Sequence, residues 1–191
     1  MNKGVLFLTI FALLFFGVIT RLLPHLPNAT PLTAIALTSG IYLGKRWSVV
    51  LPVVVLFLSD MVIGFYDWKI MASVYGSFVF IGCLSWLNRT YGGVSFVCLS
   101  VVAASLLFFF ITNSAVWLFS PWYEKSFTGL LYAWELGIPF LRNMLVGDLF
   151  YTTALIMFFE AVRAGTPMFH SKLDTARVQA GSVEAVSCSS Q

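Results

Sequence analysis

Apolar residues run along this chain in long blocks, broken by short clusters of proline, glycine and charge. A membrane-crossing helix needs about 20 mostly apolar residues, within a range of roughly 17 to 25. The blocks predict helices over residues 5–23, 31–43, 47–65, 68–87, 94–119 and 133–162. The second is short for a span and the fifth is longer than one needs. The sixth is interrupted by Pro139, Arg142 and Asp148. The predicted fold class is an all-α integral membrane protein, a bundle of six transmembrane helices forming one transmembrane domain over residues 1–164. Residues 165–191 are rich in Ser, Ala, Gly and Val without a sustained apolar face. They are expected to form a disordered cytoplasmic tail, because chain ends that dock on nothing stay mobile.

The connection between the first two blocks reads RLLPHLPNATPL, Arg21 to Leu32, with three prolines in twelve residues. Proline fixes φ and lacks an N–H donor, so the first helix cannot continue there. Asn28 and Thr30 are expected to form a turn and a cap ahead of Pro31, which opens the second helix. The opening MNKGVLFLTIFALLFFGVIT has too long an apolar run for a signal peptide and no small-x-small cleavage site after it. It is expected to remain as the first span.

Composition supports the membrane class. Of 191 residues, 59% are hydrophobic and 10% are charged, where a soluble domain carries about 25% charge. The net charge of +3 implies no nucleic-acid partner. Lys and Arg are retained on the cytoplasmic side. With six spans and the N-terminus inside, Lys3, Lys45, Arg46, Arg89, Arg163, Lys172 and Arg177 fall on the inner face. Arg21, Lys69 and Lys125 fall outside. The expected topology is therefore N-in and C-in, with multi-pass localisation in a bacterial inner (cytoplasmic) membrane.

Ionisable groups within spans face the protein interior, pair with one another or line a pathway. Asp60, Glu135, Arg142 and Asp148 are the candidates. Counted from residue 133 at about 1.5 Å per residue, Arg142 lies roughly 13 Å down the last helix and Asp148 roughly 22 Å. Glu135, Arg142 and Asn143 share one face, while Asp148 points elsewhere. Asp60, near the outer end of the third helix, is the expected partner of Arg142. Asn113 and Trp117 share a face near the outer end of the fifth helix. Trp117, Trp122, Tyr123 and Trp134 read as an interfacial aromatic belt or as a lid over a ligand. The candidate substrate cavity is thus Arg21, His25, Asn28, Asp60, Asn113, Trp117, Arg142, Asn143 and Asp148. Arg21, His25 and Asn28 are candidates for contact with a solute or with Asp60.

Recognisable catalytic chemistry is missing. GIYLGKRW departs from a phosphate loop in its spacing and places Arg46 where Ser or Thr is required. There is no GxSxG or HExxH motif. Cys83, Cys98 and Cys188 form neither a disulfide framework nor a metal set. The chain is therefore expected to be no enzyme and to hold no cofactor or metal. ATP-driven uptake would need a separate ATPase.

The segments RLLPHLPNATPLTAIALTSGIYLGKR, LPVVVLFLSDMVIGFYDW and FFFITNSAVWLFSPWYEKSFTGLLYAWELGIPFLRNMLVGDLFYTTAL resemble an uncharacterised bacterial membrane family described only as candidate transport proteins. The resemblance covers roughly residues 15 to 160 and includes Arg21, His25, Asn28, Asp60, Asn113, Trp117, Asn143 and Asp148. More distantly, the layout is similar to the substrate-binding S components of energy-coupling-factor transporters. That likeness implies six helices, a short second span, an outward-open solute site and a separate coupling protein and ATPase. Ala12 and Gly17 depart from the small-residue spacing with which such components meet their coupling protein. The implied function is a membrane transport protein that binds a small solute, with the lipid bilayer as its surroundings. The competing reading is a non-catalytic membrane assembly or regulatory subunit.

Overall fold

The computed structural model of the chain describes residues 3–24, 28–91 and 94–164. Every regular element among them is a helix: α1 (Lys3–Leu22), α2 (Leu32–Tyr42), α3 (Lys45–Ile63), α4 (Trp68–Tyr91), α5 (Val94–Phe119) and α6 (Phe127–Ala164). Five are long and apolar enough to cross a membrane, whereas α2, with 11 residues, is not. The expected tail over 165–191 lies outside the described residues.

The helix ends follow local chemistry. Asn28 adopts φ 64° in the turn before α2, a left-handed conformation that asparagine tolerates better than most residues. The turn forms, but no side chain caps α2; Pro31 occupies the cap position and its carbonyl accepts from Ile35 N–H at 2.8 Å. Gly44 and Gly64 bracket α3 at φ 110° each. That conformation is nearly confined to glycine, so α3 stops at Ile63 rather than at 65. Asp67 opens α4, accepting from Lys69 N–H at 2.9 Å. Ser126 opens α6, accepting from Gly129 N–H at 3.1 Å. With that cap, α6 begins at Phe127, six residues before the position expected from hydropathy.

Contacts fix the direction of each helix within the compact unit that ends at Leu155. Arg21 at the end of α1 meets Asp60 near the end of α3, so those two run parallel. Gly40, near the end of α2, packs against Ser48 at the start of α3. Tyr75 in the first half of α4 bonds Asp60, while Ser48 donates to Gly82 O further along it. Ser100 in α5 donates to Asn88 near the end of α4 at 2.7 Å. Trp134 in α6 donates to Ser114 late in α5 at 3.1 Å, and Asp148 meets Ser105 earlier in α5. Successive helices therefore alternate in direction.

Small residues make the close helix crossings possible. Gly17 of α1 seats Ile35 and Val55, and Gly82 of α4 lies against the Ser48 carbonyl. Gly17 thus faces its own bundle. The core is led by Leu37, Val55, Leu56, Ile81 and Val101. Several buried hydroxyls bond carbonyls of their own helices: Thr38 donates to Ala34 O at 2.6 Å and Ser59 to Val55 O at 2.8 Å. The second unit starts at Ile156, and its described part is the end of α6, where Phe158 and Phe159 meet edge to face.

Candidate functional site

A cavity of about 260 Å³ opens where the end of α1, the turn before α2 and the facing walls of α3 to α6 converge. Its apolar wall includes Leu56, Phe78, Phe108 and Met144. Phe78 and Phe108 pack with ring centroids 5.3 Å apart, which fixes the wall between α4 and α5. Against this surface stand six polar residues: Arg21, Asn28, Thr30, Thr33, Tyr66 and Asp148.

Arg21 comes from the last turn of α1. Its Nη2 lies 2.8 Å from Asp60 Oδ1, and the side chains are 17% and 1% exposed. The Tyr75 hydroxyl donates to the other carboxylate oxygen, Oδ2, at 2.9 Å. Both oxygens of Asp60 are therefore engaged, and its charge is balanced in place. A guanidinium carries five N–H donors. Only one is spent on Asp60 in this geometry, and the rest of the group forms part of the cavity wall. Tyr66, in the loop between α3 and α4, stands over the same pair. Burial, and then the Asp60 carboxylate, push its phenol above the ordinary tyrosine value, while Arg21 opposes the shift.

Asp148 lies on the opposite side and is 1% exposed. Ser105 Oγ is 2.7 Å from its Oδ2, and Thr33 supplies a second side-chain hydrogen bond. No cation pairs with it among the described residues; the salt bridge there is Arg21–Asp60. Ser105 Oγ is also 3.0 Å from Val101 O.

The structure brings Arg21, Asn28 and Asp148 to one cavity, with Asp60 directly behind Arg21. His25 lies outside the described residues. Arg142 and Asn143 line a separate groove with Ala29, Phe150 and Tyr151. The expected Asp60–Arg142 pair does not form: Asp60 takes Arg21, and Arg142 is exposed. The reason is depth. Gly147 packs on Ala29, in the turn that follows α1. Arg142, five residues earlier on α6, lies about 7 Å beyond that level at 1.5 Å per residue. It is consequently outside the layer that holds Asp60.

Asn113 and Trp117 stay out of the cavity lining. Asn113 Nδ2 donates to Phe109 O at 2.8 Å, and its Oδ1 lies against Gly137 of α6. Trp117 Nε1 donates to Glu124 O at 2.9 Å, and Lys125 Nζ reaches the carbonyls of Trp117 and Ser120. This network ties down the end of α5 and is no lid over the cavity. Sequence reasoning missed Thr30, Thr33, Tyr66, Tyr75 and Ser105. Single hydroxyls in apolar helices are too ordinary to stand out, and only the carboxylates they serve marked the place.

A family of unknown function (DUF6580) has a model that matches residues 1–169. The chain belongs to that family. No curated protein and no solved structure matches it.

Proposed function

We propose that this member of a family of unknown function is a multi-pass membrane protein that binds a small polar solute in the Arg21–Asp148 cavity and serves its transport. The reading is carried by one observation: Arg21 and Asp148, a carboxyl group with no cation partner among the described residues, line a single cavity between largely apolar helices. Ionisable groups are expensive within a membrane and mark solute or ion pathways. Ligand sites combine an apolar wall with a few convergent polar groups, as Phe78 and Phe108 do with Arg21 and Thr33. At about 260 Å³ the cavity is just below the roughly 300–1,000 Å³ range of drug-sized ligand pockets, which suits a small solute.

In this reading all six helices cross the membrane, α2 by virtue of its burial among the others, with both termini cytoplasmic. The cavity then opens to the outer face of a bacterial inner membrane. Gly17 seats Ile35 and Val55, so the small-residue position of α1 offers no docking face to a coupling protein. The proposal therefore includes no obligatory ATPase.

Native mass spectrometry of the protein released from its own membranes tests the reading. The expected spectrum carries a small adduct that disappears in Thr33→Leu with Met144→Phe, a pair that fills the cavity from α2 and α6. A protein that folds and never retains a small molecule, nor gains thermal stability from any of a broad set of polar metabolites, would overturn it.

A further inference from the structure

A buried carboxyl group must either carry a proton, meet a cation or endure a large desolvation penalty. Asp148 has no cation partner among the described residues. What it has instead is Ser105, whose single hydroxyl proton faces two acceptors. Ser105 Oγ is 2.7 Å from Asp148 Oδ2 and 3.0 Å from Val101 O. A hydroxyl offers one donor and two acceptor lone pairs. With Asp148 ionised, Ser105 turns its proton to the carboxylate. With Asp148 protonated, the carboxyl donates to Ser105, and Ser105 turns its own proton to the Val101 carbonyl. Neither state leaves a buried donor without an acceptor. Thr33, on α2, hydrogen-bonds the same carboxyl group.

We infer that Asp148, switched by Ser105, is a reversible proton-binding site of the cavity. The step is the transfer of one proton from a hydronium ion in the cavity to a carboxylate oxygen of Asp148: the donor O–H bond breaks, the carboxyl O–H bond forms and a neutral water is left. A metal ion is a poor alternative occupant. Hard divalent cations take about six to eight oxygen ligands, and Asp148, Ser105 and Thr33 supply fewer.

Among the described residues, the other charged and titratable groups around the cavity have partners or fixed places. Arg21 on α1 is paired with Asp60 on α3, Tyr75 on α4 is committed to Asp60, and Tyr66 stands over that pair. The facing groups on α2 and α5, Thr33 and Ser105, are hydroxyls. The Arg21–Asp60 pair is neutral as a unit, so the proton on Asp148 sets the net charge of the cavity. Resting on the solute-site reading above, this makes proton uptake and solute binding linked events. A solute with an anionic group for Arg21 is favoured when Asp148 is protonated.

Infrared difference spectroscopy of the full chain in lipid nanodiscs, stepped from acidic to alkaline buffer, reads the site with the proton as its probe. The expected result is a protonated-carboxyl carbonyl band that bleaches as the pH rises and is missing in Asp148→Asn. In Ser105→Ala the band persists but moves to higher frequency, because the carboxyl group has lost a hydrogen-bond partner. A wild-type band unchanged by Asp148→Asn overturns the inference. If that variant does not fold, an unmoved band in Ser105→Ala overturns it equally. The experiment needs no solute, so a silent Asp148 leaves the solute reading standing. A titrating Asp148 beside a cavity that retains nothing removes only the link to a solute.

Discussion

Arg21 and Asp60 join the outgoing ends of α1 and α3 through a contact of 2.8 Å from Nη2 to Oδ1. The carboxylate is almost fully buried and is completed by Tyr75, so the pair ties three helices at one level. The cation also forms part of the cavity wall, so stability and site geometry share one residue.

Arg21→Ala leaves Asp60 buried with only the Tyr75 hydroxyl. Breaking one partner out of a buried ion pair costs about 3–5 kcal/mol. Arg21→Leu combined with Asp60→Asn removes both charges and is expected to recover most of that loss. Thermal unfolding in one detergent of the parent, Arg21→Leu, Asp60→Asn and the double variant gives the coupling directly. Strictly additive losses would mean that the two side chains act independently.

Arg142 behaves differently. It is exposed, lines a groove and makes no ion pair among the described residues. Arg142→Ala is expected to shift unfolding by no more than about 0.5 kcal/mol, as surface substitutions do. Combined with Asp60→Asn, its effect is expected simply to add. A coupling above that level would place Arg142 against Asp60 after all.

Much of this arrangement was legible in the chain. Asp60 and Asp148 stand out because carboxylates inside apolar blocks need a reason, and Arg21 stands out at the foot of a proline-rich turn. The error over the partner of Asp60 came from depth. Counting inward from the start of α6 assumes that this helix begins level with the end of α3, whereas Gly147 lies at the level of the Ala29 turn and Arg142 five residues outside it. Asn113 and Trp117 looked available because a side chain that satisfies itself on nearby carbonyls looks the same in sequence as one aimed at a ligand. The Ser105 switch was invisible for a related reason: its meaning depends on Asp148, forty-three residues away.

Membrane orientation is open to direct measurement. Lys69 lies at the α5 exit, 5.2 Å from the Phe119 ring centroid, and Lys45 lies at the other end, 5.1 Å from that of Trp86. With Cys83, Cys98 and Cys188 changed to Ser, Lys69→Cys and Lys45→Cys each present one thiol. An impermeant maleimide added to intact cells is expected to label Lys69→Cys and to reach Lys45→Cys only after lysis. Labelling of both from the same side would sink the six-span topology.

The α2–α4 crossing offers the sharpest packing test. A Cβ added at Gly40 would lie 2.0 Å from Ser85 Oγ and 2.7 Å from Ser85 Cβ. The hydroxyl can rotate away, but the Cβ cannot move without shifting the helix. Gly40→Ala is therefore expected to cost about 1–3 kcal/mol, the range for overpacking. Gly76, on the same α4, has nothing within 4 Å of its added Cβ. There Gly→Ala gains up to about 1 kcal/mol of helix propensity, so Gly76→Ala is expected to match or exceed the parent in thermal stability. Ser85→Gly removes both close atoms and is expected to restore Gly40→Ala toward the parent despite its own propensity cost. If Gly40→Ala unfolds at the same temperature as Gly76→Ala, α2 and α4 do not approach at this point, and the short buried helix that forms one side of the cavity is seated elsewhere.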